Sequence, residues 1–60
     1  MTEKNILYEE GDFWISFEKN KNCFIIWEIG ITHSKAVGYV GKTLGLEFAI
    51  DRLKSLLPKS

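Results

Sequence analysis

The stretch Ala36-Val37-Gly38-Tyr39-Val40-Gly41-Lys42-Thr43 fits a loose phosphate-loop pattern, with alanine where the stricter form carries glycine. In such a loop, backbone amides cradle phosphates, the lysine reaches the outer ones and the threonine hydroxyl holds magnesium. That chemistry also requires a parallel sheet with crossover helices and a second acidic residue at a strand end for the metal. A chain of 60 residues with one helical stretch has no room for them. Val37, Tyr39 and Val40 therefore read as strand residues, and Gly41 as a turn.

Two other constellations fare no better. Cys23 and His33 sit at opposite ends of one expected strand. At about 3.3 Å per residue they stand roughly 30 Å apart, too far for a thiolate–imidazole pair. Together they supply two of the roughly four ligands a structural zinc needs, so no metal is expected. Cys23 reads as a small, partly buried apolar residue and His33 as a surface residue of a turn. Glu9, Glu10 and Asp12 cluster around Gly11, but paired carboxylates need a cleft to shift their pKa values before they do acid–base work. A solvated turn is the simpler reading. No catalytic residue, cofactor or small-molecule substrate is expected.

Lys19, Lys21, Lys35 and Lys42 lie at or beside expected turns and strand ends. With Trp14 and Phe24 they could form a surface that stacks bases and holds backbone phosphates. Glu18 and Glu28, on the same expected face, oppose that reading, and lysines at strand tips also serve to prevent aggregation.

The elements that position these residues follow from the hydrophobic pattern. Phe13 to Lys19 alternates, with Phe13, Ile15 and Phe17 on one side and Trp14, Ser16 and Glu18 on the other, which is a half-buried strand. Asn20-Lys21-Asn22 is a turn, and Cys23 to Ile31 is a second strand rich in β-branched and aromatic residues. If the turn is a three-residue loop, Phe17 faces Ile25, Ile15 faces Trp27 and Phe13 faces Ile29, with Ile31 beyond. A shift by one residue sets Glu28 opposite Phe13, which a buried face disfavours. Gly30 marks a bulge or a close backbone approach. After the turn Thr32-His33-Ser34-Lys35, residues Ala36 to Val40 form a third strand.

Leu46, Ala49, Ile50, Leu53 and Leu57 then recur at helical spacing, with Glu47, Asp51, Arg52, Lys54 and Ser55 facing away. Thr43 or a residue just after it is the expected cap, Glu47 and Asp51 suit the positive end, and Pro58 stops the helix. Ile6-Leu7-Tyr8 is a short edge strand or an extended lead-in, and Glu9 to Asp12 a turn. The expected architecture is one α+β domain over residues 1–60. It is a three-stranded antiparallel β-meander, with room for a short extra N-terminal strand, and one C-terminal helix packed on one face. Residues 1–5 and 58–60 are expected to be loose.

Composition bounds the rest. The apolar fraction is 45%, with eight aromatic residues among 60, enough for a core. A chain this short buries only about 60% of the surface its unfolded form exposes, so packing or self-association must support it. Eight basic and eight acidic residues cancel, so the chain as a whole exerts no pull on nucleic acid or anionic membranes. A polar N-terminus, a single cysteine and no long apolar run point to a cytoplasmic protein.

One helix covers one face of a sheet. In the expected register the other face shows Trp14, Ser16, Phe24, Ile26 and Glu28, a candidate surface for a protein partner or a second copy of the chain. Ile6, Leu7 and Tyr8 folding over that face is the competing reading. The leading functional expectation is a small protein-interaction module, and the alternative is a single-strand nucleic-acid binder that uses the sheet aromatics and turn lysines.

Three segments in order also carry a resemblance: an acidic turn before a Phe-Trp-Ile strand, then Phe24 to Ser34, then Gly45-Leu46-Glu47-Phe48-Ala49-Ile50 opening the helix. Over about residues 8 to 53 the chain resembles small uncharacterised proteins from the early or accessory regions of tailed phages and prophages. That resemblance implies a context, binding of a host or phage protein in the host cytoplasm, and implies no functional residues.

Overall fold

Glu10 and Phe13 face one another across a two-residue loop, and this tight reversal starts the fold. The first loop residue, Gly11, sits at φ 62, the left-handed region that two-residue hairpin loops demand and glycine enters freely. The computed structural model describes residues 6–58. Of the ends expected to be loose, residues 1–5 and 59–60 lie outside the described residues, and Pro58 is exposed beyond the helix.

Strand β1 spans Tyr8–Glu10, β2 Phe13–Glu18, β3 Cys23–Glu28 and β4 Lys35–Gly41. A single 3₁₀ turn, Lys42–Leu44, leads into α1, Leu46–Leu56. The strands form one antiparallel sheet in the order β1-β2-β3-β4. The α+β class, the antiparallel meander and the C-terminal helix stand as expected, and the short extra strand is present. The turn expected over Glu9 to Asp12 contracts to Gly11 and Asp12, because both glutamates extend the sheet opposite Trp14 and Phe13.

The register of the β2–β3 hairpin differs from expectation by one residue. Phe13 lies opposite Glu28, Trp14 opposite Trp27, Ile15 opposite Ile26 and Phe17 opposite Phe24. The connection is a four-residue loop, Lys19 to Asn22, closed by Lys21 N–H to Glu18 O and Asn22 N–H to Lys19 O, both at 3.3 Å. Asn22 takes φ 51, a conformation asparagine tolerates better than most residues. The physical reason lies in β3, where Phe24, Ile25, Ile26 and Trp27 are apolar on both faces, so alternation there selects no register. Like then pairs with like on each face: Trp14 stacks on Trp27 with centroids 5.3 Å apart at 13°, and Phe17 meets Phe24 at 5.1 Å and 59°. Glu28 beside Phe13 is tolerated at the sheet corner, where its carboxylate stands 3.9 Å from Lys35 Nζ.

β3 also ends earlier than expected, at Glu28. Ile29 N–H donates to Asp12 O at 2.8 Å, and the chain then leaves the sheet. Ile29 is therefore exposed rather than packed on Phe13, and Ile31 is fully exposed. The close approach expected at Gly30 is present, since a Cβ there would collide with the carbonyl oxygen of His33.

Helix α1 buries Ala49 and Leu53 against Phe13, Ile15, Ile26 and Val40, with Tyr8, Phe24, Leu46, Ile50 and Leu57 at the margin. All five expected stripe residues thus face the sheet. The cap falls just after Thr43: Gly45 occupies the N-cap position without a side-chain bond, and Thr43 lies in the 3₁₀ turn. Lys42 N–H is tied to Asn22 O at 3.1 Å and Gly45 N–H to Lys42 O at 3.1 Å, which delays the helix. Leu57 at φ −70, ψ 145 is extended, as the residue before a proline prefers.

Candidate interaction surface

The observed register separates the residues expected to share an open face. Ile15 lies opposite Ile26 in the core beneath α1, so Phe24, Ile26 and Glu28, two apart along β3, take the helix side of the sheet. Ile26 is fully buried there and can touch no partner. Trp14 and Ser16 take the opposite face with Ile25, Trp27 and Tyr39. The expected five-residue surface is therefore not one surface.

The face away from the helix closes largely on itself. Trp27 Nε1 donates to Ser16 Oγ at 3.0 Å, and Trp14 Nε1 donates to Ser34 Oγ at 3.2 Å. Stacked and hydrogen-bonded, Trp14 retains 7% of its exposure, and its neighbour Ile25 is also buried. Trp27 is half-buried, and stacked indoles with satisfied N–H groups stabilise a sheet and offer little to a partner. Tyr8, expected in a short edge strand, a lead-in or a cover for this face, lies in the edge strand β1 and packs with the core on the helix side.

The four lysines divide between the two ends of the sheet. Lys19 and Lys21 lie in the β2–β3 loop, and Lys42, bonded to Asn22, stands at the same end. Lys35 opens β4 at the other end and pairs with Glu28. Lys21 Nζ is 6.0 Å from the centroid of the Tyr39 ring, near the outer reach of a cation–π contact. Phe24, expected to stack bases beside them, packs against the helix-side core instead.

Of the remaining sequence candidates, Cys23 is half-buried at the start of β3, and His33 lies in the loop beyond its other end. His33 Nδ1 is 2.9 Å from Thr32 Oγ1. Residues 36 to 41 of the phosphate-loop pattern are strand, and Lys42-Thr43 belong to the 3₁₀ turn, so no loop cradles an anion. Among the described residues no three His, Cys, Asp or Glu side chains gather as metal ligands. No described helix is long and apolar enough to cross a membrane.

One exposed apolar surface lies along the flank where β4 meets α1; Ile6, Leu7, Ile29, Ile31 and Leu44 are also exposed. Val37, Gly38 and Tyr39 of the strand and Arg52 and Leu56 of the helix line one shallow hollow. Arg52 continues into a second hollow with Phe48, Asp51 and Ser55. Val37, Tyr39, Phe48 and Leu56 are all exposed, Tyr39 by 58%. Phe48, Arg52 and Leu56 follow at intervals of four, one row along the helix beside the core stripe. That spacing was legible in the sequence. Its pairing with Tyr39 was not, because it depends on which strand ends the sheet.

Comparison with known proteins finds no matching family model, no matching curated protein and no matching solved structure.

Proposed function

We propose that this chain is a protein-binding module whose contact surface is the flank shared by β4 and α1. The observation that supports the reading is exposed Val37 and Leu56 beside Arg52, with exposed Phe48 further along the helix and Tyr39 at the strand edge. Exposed apolar groups gathered beside an arginine are typical of protein contact sites, where aromatic and arginine residues supply most of the binding energy. The accessory-protein context implied by the phage resemblance belongs to the same reading, as does the absence of catalysis.

Selection from a displayed library of protein fragments tests it, with native chain and a Leu56→Glu variant as baits and circular dichroism to verify the variant's fold. Fragments that bind the native chain and lose the variant support the reading. Fragments that bind both alike would place the contact elsewhere.

A second reading rests on Lys21 above the exposed Tyr39 ring, with Lys42 at the same end of the sheet. It makes the chain a single-strand nucleic-acid binder. Fluorescence anisotropy with a labelled oligonucleotide then shows binding that weakens steeply with salt and is lost in Tyr39→Ala. No binding at low salt removes it.

A further inference from the structure

We infer that the flank takes an acidic segment of another protein in extended conformation, added beside β4 as a fifth strand of the sheet. This rests on the protein-binding reading above and specifies its occupant.

The backbone makes the first part of the case. Among the described residues β4 has no neighbour on its outer side, since the sheet order ends with it. Lys42 N–H reaches inward to Asn22 O. Along an antiparallel strand, successive residues turn their N–H and C=O groups to alternate sides. Val40 and Gly38 therefore also point inward, toward their partners Phe24 and Ile26, and the N–H and C=O groups of Tyr39 and Gly41 point outward. An added strand would find those groups waiting, which is how strand addition obtains its affinity.

The side chains make the second part. Arg52 and Leu56 of the helix stand beside that edge with Val37 of the strand, and Phe48 follows further along the same helical row. An extended segment has alternate side chains toward the helix, so apolar residues at every second position would meet Leu56.

Charge selects the occupant. Lys42 borders the edge at one end and Lys35 at the other, Arg52 stands beside it, and Lys21 lies over Tyr39. Of these cations, Lys35 has Glu28 beside it. Helical spacing places Glu47 and Lys54 on the opposite flank of α1, and Asp51 lines the hollow beside Arg52. A second copy pairing about Tyr39 would set Lys42 of one copy beside Lys35 of the other, with like charges across the seam. An acidic partner meets no such repulsion.

The test uses a short synthetic peptide that alternates glutamate or aspartate with valine or threonine, blocked at both ends. Two controls accompany it: the same peptide N-methylated at alternate residues, and one with lysine replacing every acid. Amide NMR of the native chain reads the site. The acidic peptide should shift the Tyr39 and Gly41 amides and slow their exchange, leaving the Trp27 indole N–H unmoved. Each control should bind at least about tenfold more weakly, the loss of roughly two hydrogen bonds or of the charge match. Arg52→Glu should weaken the acidic peptide and strengthen the lysine one.

Equal binding by the N-methylated peptide, or shifts gathered around Trp27, would overturn the inference. So would Tyr39 and Gly41 shifts that grow with protein concentration alone, which would make a second copy the occupant. If displayed fragments require Leu56 but the acidic peptide leaves the Tyr39 amide unchanged, strand addition falls and the module reading stands. If neither binds, both fall.

Discussion

Tyr8 donates its phenolic O–H to Glu10 Oε1 at 2.5 Å, two residues along the same strand. The hydrogen bond holds the phenol in its neutral form and raises its pKa above the ordinary 10.0, with desolvation and the Glu10 charge adding in the same direction. The folded state thus keeps this proton longer than the unfolded chain. Its contribution to stability is complete below pH 10.0 and is lost as pH rises through the folded value. A spectrophotometric titration of tyrosinate should show a late phase that Tyr8→Phe removes and Glu10→Ala moves toward the ordinary value. An unchanged phase in Glu10→Ala would refute the hydrogen bond as its cause. At Gly11, alanine would be strained at φ 62, and its methyl would stand 3.0 Å from Leu57 Cδ2. Gly11→Ala should cost about 1–2 kcal/mol in urea unfolding, a large part of a small domain's stability.

At the scale of elements, α1 and β3 contrast. The helix was legible because its apolar residues recur with one period, and one face of a helix can satisfy only one core. Leu53, fully buried at the centre of that face, tests the packing. Leu53→Ala should cost about 2–5 kcal/mol, enough to leave much of the population unfolded by circular dichroism. In β3 the apolar run covers both faces, so the register waited for cross-strand partners: Trp14 for Trp27, and Ile15 for Ile26. The error about the open face followed from this, since one residue of slip exchanges the faces of a whole strand. Ser16→Ala tests the observed pairing. It removes the acceptor of the Trp27 indole N–H and should cost about 1 kcal/mol, with a change in near-ultraviolet circular dichroism from the tryptophan stack. An unaltered spectrum would argue against the stack.

For the molecule as a whole, zero net charge conceals a separation. Glu9, Glu10 and Asp12 stand at the β1–β2 turn, while Lys19, Lys21 and Lys42 stand at the opposite end of the sheet. The basic flank of β4 opposes pairing with its own copy, so sedimentation at low salt should give a single species of 6.9 kDa. A stable dimer would refute that opposition. The described chain is thin, 33 × 30 × 15 Å, as one sheet with one helix must be. On the side without a helix, the paired indoles and Ser16 and Ser34 take over part of the work a second layer would do.

The sequence by itself determined the class of fold, the order of its elements, the presence but not the length of the two turns nearest the N-terminus, and the buried stripe of the helix. Each of these rests on local periodicity or on residues such as Gly11 and Asn22 that tolerate particular backbone angles. The tertiary structure alone decided which residues share a surface. Trp14 was an anchor candidate only while its partner was unknown, and Tyr39 became prominent only once β4 ended the sheet beside Phe48, Arg52 and Leu56. A surface joins residues distant in sequence, and strand register, which no local pattern in β3 specifies, determines how they meet.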